Sequence, residues 1–286
     1  MMLPAGLLPL RLLDSHKGDF GRVVVVAGSP GLTGAAALSA NGALRAGAGL
    51  VTLATPRSLQ PIFETKLTEA MTRGLSETKE QSLAVEALPE LLELVERADA
   101  VAVGPGLSQH AQTKQLIKRL VPKITKPCVL DADGLNAVAD DTKLLKRLVH
   151  PMIVTPHPGE MGRLIRLSAE EVQRDRQRIA VEFAKHHGVI VVLKGHRTLV
   201  ANVDGELFIN DTGNPGMAAG GMGDVLAGVI AGLLGQRLAP FDAARLGVYL
   251  HGLAGDLVAE RLGRVGLIAS DLLDTIPLAI RRYQGV

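Results

Sequence analysis

Four valines and an alanine, Val23–Ala27, run without interruption into Gly28. A segment that is apolar at every position, rather than at every second one, suits a strand covered on both faces. Strands of that kind sit in the middle of parallel sheets flanked by helices. The pattern recurs along the chain. Strands are expected at Leu50–Ala54, Ala100–Val103, Cys128–Leu130, Met152–Thr155 and Val189–Leu193. Between and after them come stretches with helical spacing: Ala35–Ala46, Leu83–Arg97, Thr113–Leu120 and a long charged helix over Ala169–His187. Leu199–Val203 and Glu206–Ile209 straddle Asp204–Gly205, a hairpin signal. Apolar helices follow at Asp224–Leu234, Asp242–Leu262 and Ser270–Arg281. The alternation predicts an α/β fold, a mostly parallel central sheet with helices on both faces and a late antiparallel hairpin. No linker, repeat or low-complexity stretch interrupts residues 1–286, so a single domain is expected, with polar Ser76–Ser82 as its candidate mobile loop.

In open sheets of this class ligands bind beyond the carboxyl ends of the strands, and the glycine clusters fall there. Bulk composition limits what the ligand is. The net charge of +2 and an aromatic content of 2% without Trp argue against nucleic acid as a partner. No apolar run approaches the ~18–20 residues of a membrane span. The opening residues, MMLPAGLLPLRLL, carry two prolines and an arginine, and read as a segment packed on the domain rather than a signal peptide. A lone cysteine, Cys128, fits a reducing compartment and buried packing. The expected location is cytoplasmic.

The strongest chemical signal is Asn210–Leu234 (NDTGNPGMAAGGMGDVLAGVIAGLL). Glycines 213, 216, 220, 221 and 223 precede an apolar helix. Such a loop lets several backbone N–H groups approach a ligand, and the helix start adds unsatisfied amides and a positive dipole end. Together they form an anion cradle. Asp224 opens the helix. An isolated aspartate there is ordinarily an N-cap; beside an uncharged phosphate cradle it reads as a base for a substrate hydroxyl. Gly28–Val51 is a second glycine-bearing turn, but it has neither the dinucleotide fingerprint nor the Lys-Ser/Thr of a Walker A loop. In Thr155–Leu164 (TPHPGEMGRL), His157 and Glu160 lie three apart at a helix start, and Glu160 suits Mg²⁺, directly or through water, beside substrate phosphates. A zinc site is not expected. GPGL (Gly104–Leu107) and LDADGLNA (Leu130–Ala137) bring Asp131, Asp133 and Asn136 to strand ends, where turn and cap chemistry competes with a site role. Lys194 follows a buried strand and is placed to meet a nucleotide phosphate. His16, His110, His150, His186, His187 and His251 have no supporting context and read as surface or core residues.

Taken together, GxGD at Gly221–Asp224, SHKGDFGRVVVVAGSPGLTGAA, GPGL, LDADGLN, TPHPGE, LKG with Thr198, and GNPGMAAGGMGDVLAG resemble the NAD(P)H-hydrate dehydratase family of the ribokinase-like superfamily, in the family's order from Asp14 to Ile280. The resemblance implies a repair enzyme. A hydroxyl on the hydrated nicotinamide ring is phosphorylated, phosphate leaves, and NADH or NADPH is restored from the S epimer of its hydrate. Bacterial-type members use ADP and release AMP, whereas eukaryotic ones use ATP, with Mg²⁺ as cofactor. Ala35, Gly106, His157, Asn136 and Asp224 would meet the hydrate. Lys194, Gly195, His196, Arg197, Thr198 and Gly223 would meet the adenine nucleotide, with Gly221 and Gly223 supplying the cradle. Two positions depart from the family pattern: Ala219 and Met222 stand where a hydroxyl residue is common. A hydrate epimerase is the implied pathway partner; its domain is expected to be absent here, since about 13 residues precede the match. A homo-oligomer, a tetramer, is also implied. Competing readings are a vitamin-precursor hydroxyl kinase of the same superfamily, a non-catalytic nucleotide-binding module and, with the wrong fingerprint, an NAD-dependent dehydrogenase.

Overall fold

A computed structural model describes residues 6–9, 11–147 and 152–285. His150 and part of the opening segment lie outside the described residues. Strand β1 (Arg22–Val26) is central. It pairs in parallel with β2 (Leu50–Pro56) on one side and β4 (Ala100–Val103) on the other, Val24 opposite Thr52 and Val25 opposite Ala102. Beyond β2 lies β3 (Met71–Leu75). Beyond β4 come β5 (Cys128–Leu130), β6 (Ile153–Val154) and β7 (Ile190–Leu193), all parallel, then β8 (Leu199–Ala201) and β9 (Leu207–Ile209), both antiparallel. The nine-stranded order β3-β2-β1-β4-β5-β6-β7-β8-β9 reverses direction between β1 and β4. The hairpin thus lies at the far edge, as its turn chemistry predicts.

Each face of β1 is covered, which is why its sequence does not alternate. Val23 and Val25 pack with α1 (Thr33–Arg45), α9 (Met222–Gly235), α10 (Pro240–Leu262) and α11 (Ala269–Gln284). Val24 and Val26 pack with α3 (Leu88–Glu96), α4 (Ala111–Leu120), α5 (Ala132–Val138), α6 (Pro158–Ile165), α7 (Ala169–Arg174) and α8 (Arg176–His187). Helix α9 is buried almost throughout, and it crosses α1 backbone to backbone. A Cβ on Gly42 would stand 2.7 Å from the Val225 carbonyl oxygen, and one on Gly228 would run into the Ser39 carbonyl. This close crossing fixes the start of α9 against the sheet.

Several expectations need correction. The single helix read over Ala169–His187 is two, broken at Asp175, where φ is −142° and the carboxylate takes the Arg178 Nε–H at 2.5 Å. Val172, Ile179 and Phe183 are buried on both sides of the break, so the periodicity runs through it. The helix read from Leu83 starts later, at Leu88 after a short 3₁₀ turn, because Leu83 forms a bridge with Glu77. That bridge, with Thr78 N–H donating to the Ser82 carbonyl at 2.8 Å and the Glu77 carboxylate accepting from Ser58, makes Ser76–Ser82 a tied turn rather than a free loop. Strand β3 and α2 (Gln60–Lys66) were not anticipated. Among the described opening residues, Leu7 and Leu8 pack on the core and the Arg11 guanidinium lies 3.8 Å over the Phe20 ring. Among the described residues no helix is long and apolar enough to cross a membrane.

Candidate active site

Because β1, β4, β5, β6 and β7 run parallel, the residues that follow them gather along one edge: Gly28, Gly104–Gly106, Asp131, Thr155–His157 and Lys194. The strand order reverses between β1 and β4 at this edge, the usual ligand position in such sheets. Helix α9 points its N-terminus at this edge. Gly221 is the N-cap with φ +88°, a conformation an L side chain rarely adopts, and a Cβ there would press on Leu38 and Ala269. Val225 is the first residue to bond back, to the Gly221 carbonyl at 3.1 Å. The amides of Met222, Gly223 and Asp224 therefore have no intrahelical acceptor and remain for an anion.

Asp224 is not the N-cap. It sits in the first turn, mostly buried, with no hydrogen bond to its carboxylate among the described residues. Burial pushes its pKa up and Asp131 pushes further; Lys194 opposes, Glu160 and Asp133 add, and the result is about 7. The ordinary carboxylate value of ~3.9 assumed from sequence is thus corrected upward, toward a better base.

Lys194 lies at the centre. Its Nζ is 2.8 Å from Asp131 Oδ1 and 3.6 Å from Glu160 Oε2, and a Cβ on Gly223 would stand 3.3 Å from it. The ammonium is therefore seated against the start of α9. Burial alone would depress its pKa, but Asp131, Glu160 and Asp224 raise it above the usual lysine value. Asp131 is 1% exposed and makes no cap bond to α5. Its Oδ1 instead accepts the Thr155 hydroxyl at 2.6 Å as well as the lysine. Three carboxylates, Asp131, Glu160 and Asp224, thus surround one ammonium. The excess negative charge suits a divalent cation that arrives on phosphates and keeps most of its waters. Among the described residues no three His, Cys, Asp or Glu side chains are arranged to hold a metal by themselves. Glu160 fits an indirect role, since its Oε2 already accepts the His157 N–H at 2.8 Å.

A cleft of about 460 Å³ opens beside Lys194, lined by Gly195, His196, Arg197, Thr198 and Gly223. All the residues expected to meet the nucleotide are thus brought together. Its other wall is Asn210, Thr212, Met217, Leu226 and His251; the first four belong to the glycine-rich stretch singled out in the sequence, and His251 was missed. His251, treated as context-free, lies in α10 and its Nε2 meets the Met222 carbonyl at 2.9 Å; burial pushes its pKa down to about 4, so it is the neutral imidazole and donates that bond. Asp256 ties the Gly213 loop to α10 by accepting from Gly213 N–H and Asn214 Nδ2 at 2.8 and 2.9 Å. No local pattern signals either residue. The wall is aliphatic at Met217, Met222, Leu226 and Val248, so the departure at Met222 supplies apolar lining.

Gly106 (φ +61°) abuts α1: its Cβ would lie 3.2 Å from that of Ala35 and 2.8 Å from the Leu32 carbonyl, and Ser29 Oγ donates to its carbonyl at 2.8 Å. His157 caps α6, its Nδ1 accepting from Gly159 N–H at 3.0 Å, and burial lowers its pKa although Glu160 opposes. Asn136 is engaged by Asp133 (3.2 Å) and Arg163 (3.1 Å). The arrangement offers a phosphate cradle, a poised carboxylate and a buried ammonium at one helix start, the parts of a phosphoryl-transfer site.

Comparison with known proteins agrees with this geometry. A family model described as NAD(P)H-hydrate dehydratase matches residues 23–278. A bifunctional NAD(P)H-hydrate repair enzyme of Moorella thermoacetica is 50% identical over 97% of this chain, but only 52% of that protein is covered. The chain spans about half the length of the bifunctional relatives it matches. An ADP-dependent (S)-NAD(P)H-hydrate dehydratase of Neisseria meningitidis is 39% identical over 92% of this chain and 86% of its own length. The crystal structure of the ADP/ATP-dependent NAD(P)H-hydrate dehydratase from Bacillus subtilis, co-crystallised with ATP and Mg²⁺, superimposes with a TM-score of 0.83 at 33% identity, covering 96% of this chain and 94% of that one.

Proposed function

Since the chain belongs to the NAD(P)H-hydrate dehydratase family, we propose that it restores NADH and NADPH from the S epimer of their hydrates, using ADP and releasing AMP and phosphate. The observation that carries this reading is Asp224: a carboxylate with a pKa near 7 at an amide cradle, beside a cleft that continues along Lys194–Thr198. The nucleotide's adenosine occupies the aliphatic cleft and its terminal phosphate faces the α9 amides. The ring hydroxyl attacks that phosphorus, Asp224 takes the hydroxyl proton, and the bond to the departing AMP breaks. The phosphorylated ring then expels inorganic phosphate as the ring nitrogen's lone pair forms an iminium, and loss of a proton from the adjacent ring carbon gives the carbon–carbon double bond of the reduced nicotinamide. Lys194, held by Asp131, offsets charge on the transferred group. Mg²⁺, when bound, supplies further charge neutralisation on the phosphates, with Glu160 as a water-mediated ligand. Ala35, Gly106 and His157 border the hydrate.

The same reading includes a separate epimerase that supplies the S hydrate, and a tetramer, which light scattering checks. The decisive experiment is incubation with NADH hydrate, Mg²⁺ and ADP or ATP, following reduced-nicotinamide absorbance and phosphate release together. Return of the absorbance with stoichiometric phosphate supports dehydration. A stable phosphorylated product without return of absorbance points to a hydroxyl kinase instead, and absence of turnover with bound nucleotide points to a binding module.

A further inference from the structure

A guanidinium stands on the hydrate side of the site with no carboxylate partner among the described residues. Arg163 lies exposed on α6, three residues beyond Glu160 and six beyond His157. Its Nη1 donates to Asn136 Oδ1 at 3.1 Å, and no ion pair reaches it among the described residues. Asn136 is itself oriented, its Nδ2 donating to Asp133 Oδ1 at 3.2 Å. Asp133 in turn accepts the Ser108 N–H at 3.0 Å and Gln109 Nε2 at 3.4 Å. A chain of hydrogen bonds thus runs from Ser108, two residues past Gly106, through Asp133 and Asn136 to Arg163, on the helix that His157 caps.

This is an uncommon use of arginine. A guanidinium has five N–H donors and is charged at every working pH. Here one donor is pinned by a neutral amide, while the carboxylate behind that amide is occupied by other donors. The arrangement fixes the direction of the cation without neutralising it. By contrast the Lys194 ammonium is balanced by Asp131 and Glu160. The exposed, directed, unneutralised fork is complementary to a phosphate oxygen pair. A dinucleotide hydrate carries such groups remote from its reacting ring.

We propose that Arg163, held by Asn136 and Asp133, forms an anion subsite that takes a phosphate group of the dinucleotide hydrate and so holds the substrate at the site. The proposal rests on the dehydratase reading above. It makes Arg163 a binding residue for the non-reacting half of the substrate, and Asn136 a positioning residue rather than a hydrate contact. Two phosphates qualify: the pyrophosphate common to both hydrates, or the 2′-phosphate of the NADPH form.

The test uses the Arg163→Ala, Arg163→Lys and Asn136→Ala variants, each checked for an unchanged melting temperature. KM and kcat are measured with NADH hydrate and NADPH hydrate, and direct binding of NADH and NADPH is titrated with saturating AMP in the nucleotide cleft. For R163A the expected result is a hydrate KM raised about tenfold, kcat within twofold, the KM for ADP unchanged, and dinucleotide binding weakened by the same factor. Lysine should recover part of the loss, and N136A should show a smaller loss in the same direction. Equal losses with both dinucleotides assign the pyrophosphate, and a loss confined to the NADPH forms assigns the 2′-phosphate. Unchanged hydrate KM and unchanged dinucleotide affinity in R163A overturn the subsite while leaving the dehydratase reading intact. A wild-type protein that neither binds reduced dinucleotide nor turns over hydrate overturns both. Should R163A melt early, R163K and N136A decide: wild-type affinity in both overturns the subsite.

Discussion

Replacing Asp224 with Asn should stabilise the protein at neutral pH while removing its turnover. Asp224 has a pKa displaced from 3.8 to about 7 by burial and by Asp131. The folded state therefore binds its proton more tightly than the unfolded chain does. Stability from this group is fully present below the unfolded pKa and is lost as pH rises through about 7. At about 1.4 kcal/mol per pH unit the full displacement corresponds to about 4 kcal/mol as an upper limit. Solvent on the open side of the carboxylate reduces it, to about 2 kcal/mol by analogy with the weakening of other partly exposed charges. Asparagine does not titrate, so D224N escapes the loss. For a chain of this size about 2 kcal/mol moves the melting temperature by roughly 3 °C. The gap between D224N and wild type, measured by differential scanning fluorimetry without nucleotide or Mg²⁺, should be small near pH 4.5, widen to pH 7 and be flat above it. Turnover should mirror this: at saturating Mg²⁺ and ADP, kcat/KM for hydrate should fall below an inflection that the added cations have shifted under 7. A gap independent of pH, or a variant less stable than wild type at pH 8, would refute the electrostatic argument. A D224N rate above about a tenth of wild type would refute the assignment of the base.

Asp131→Asn keeps an acceptor for the Thr155 hydroxyl but removes the main charge facing both Lys194 and Asp224. It should raise the KM for ADP about tenfold and shift the acid limb of the hydrate profile to lower pH; an unmoved inflection in the pH profile counts against the network. Gly223→Val should bring side-chain atoms against the Lys194 ammonium, 3.3 Å from the Cβ position, and crowd the amides at the start of α9. Nucleotide affinity measured by calorimetry should drop at least tenfold, and wild-type affinity together with wild-type rate would remove the cradle. ADP should outperform ATP as donor in steady-state assays at saturating Mg²⁺ and hydrate, because a cradle at Gly220–Gly223 and an adenosine cleft along Lys194–Thr198 leave one fixed span; faster turnover with ATP rejects the donor assignment and leaves Asp224 standing.

What a local pattern can and cannot encode is visible in single residues here. Val23–Val26 reads as a doubly covered strand because each residue meets one of two cores, and that information is carried by the segment itself. Strand β3 (MTRGL) was missed because an edge strand is covered on one side only. Its burial alternates, and Arg73 and Gly74 remove the apolar signal that would have marked it. The site follows the same division. In a parallel sheet the residues just past a strand must reach the ligand edge, so Asp131 and Lys194, one step on, and His157, three steps on, could be placed from the sequence. Their pairing could not: Lys194 meets Asp131 across 63 positions of sequence, and no periodicity links the two. Nor could the charge state of Asp224, which looks like an ordinary first-turn carboxylate until Asp131 from a strand end, Glu160 from α6 and Lys194 from another strand end converge on it. His251 and Arg163 make the same point from the opposite direction. Each sits in a helix whose spacing only requires that some residue be there, and each is oriented by a partner on another element, the Met222 carbonyl for one and Asn136 for the other. Position along the sheet edge is thus set by the strand that precedes a residue, whereas acidity and reach are set by what the rest of the chain folds against it, and the pH profile of D131N measures that second contribution at Asp224.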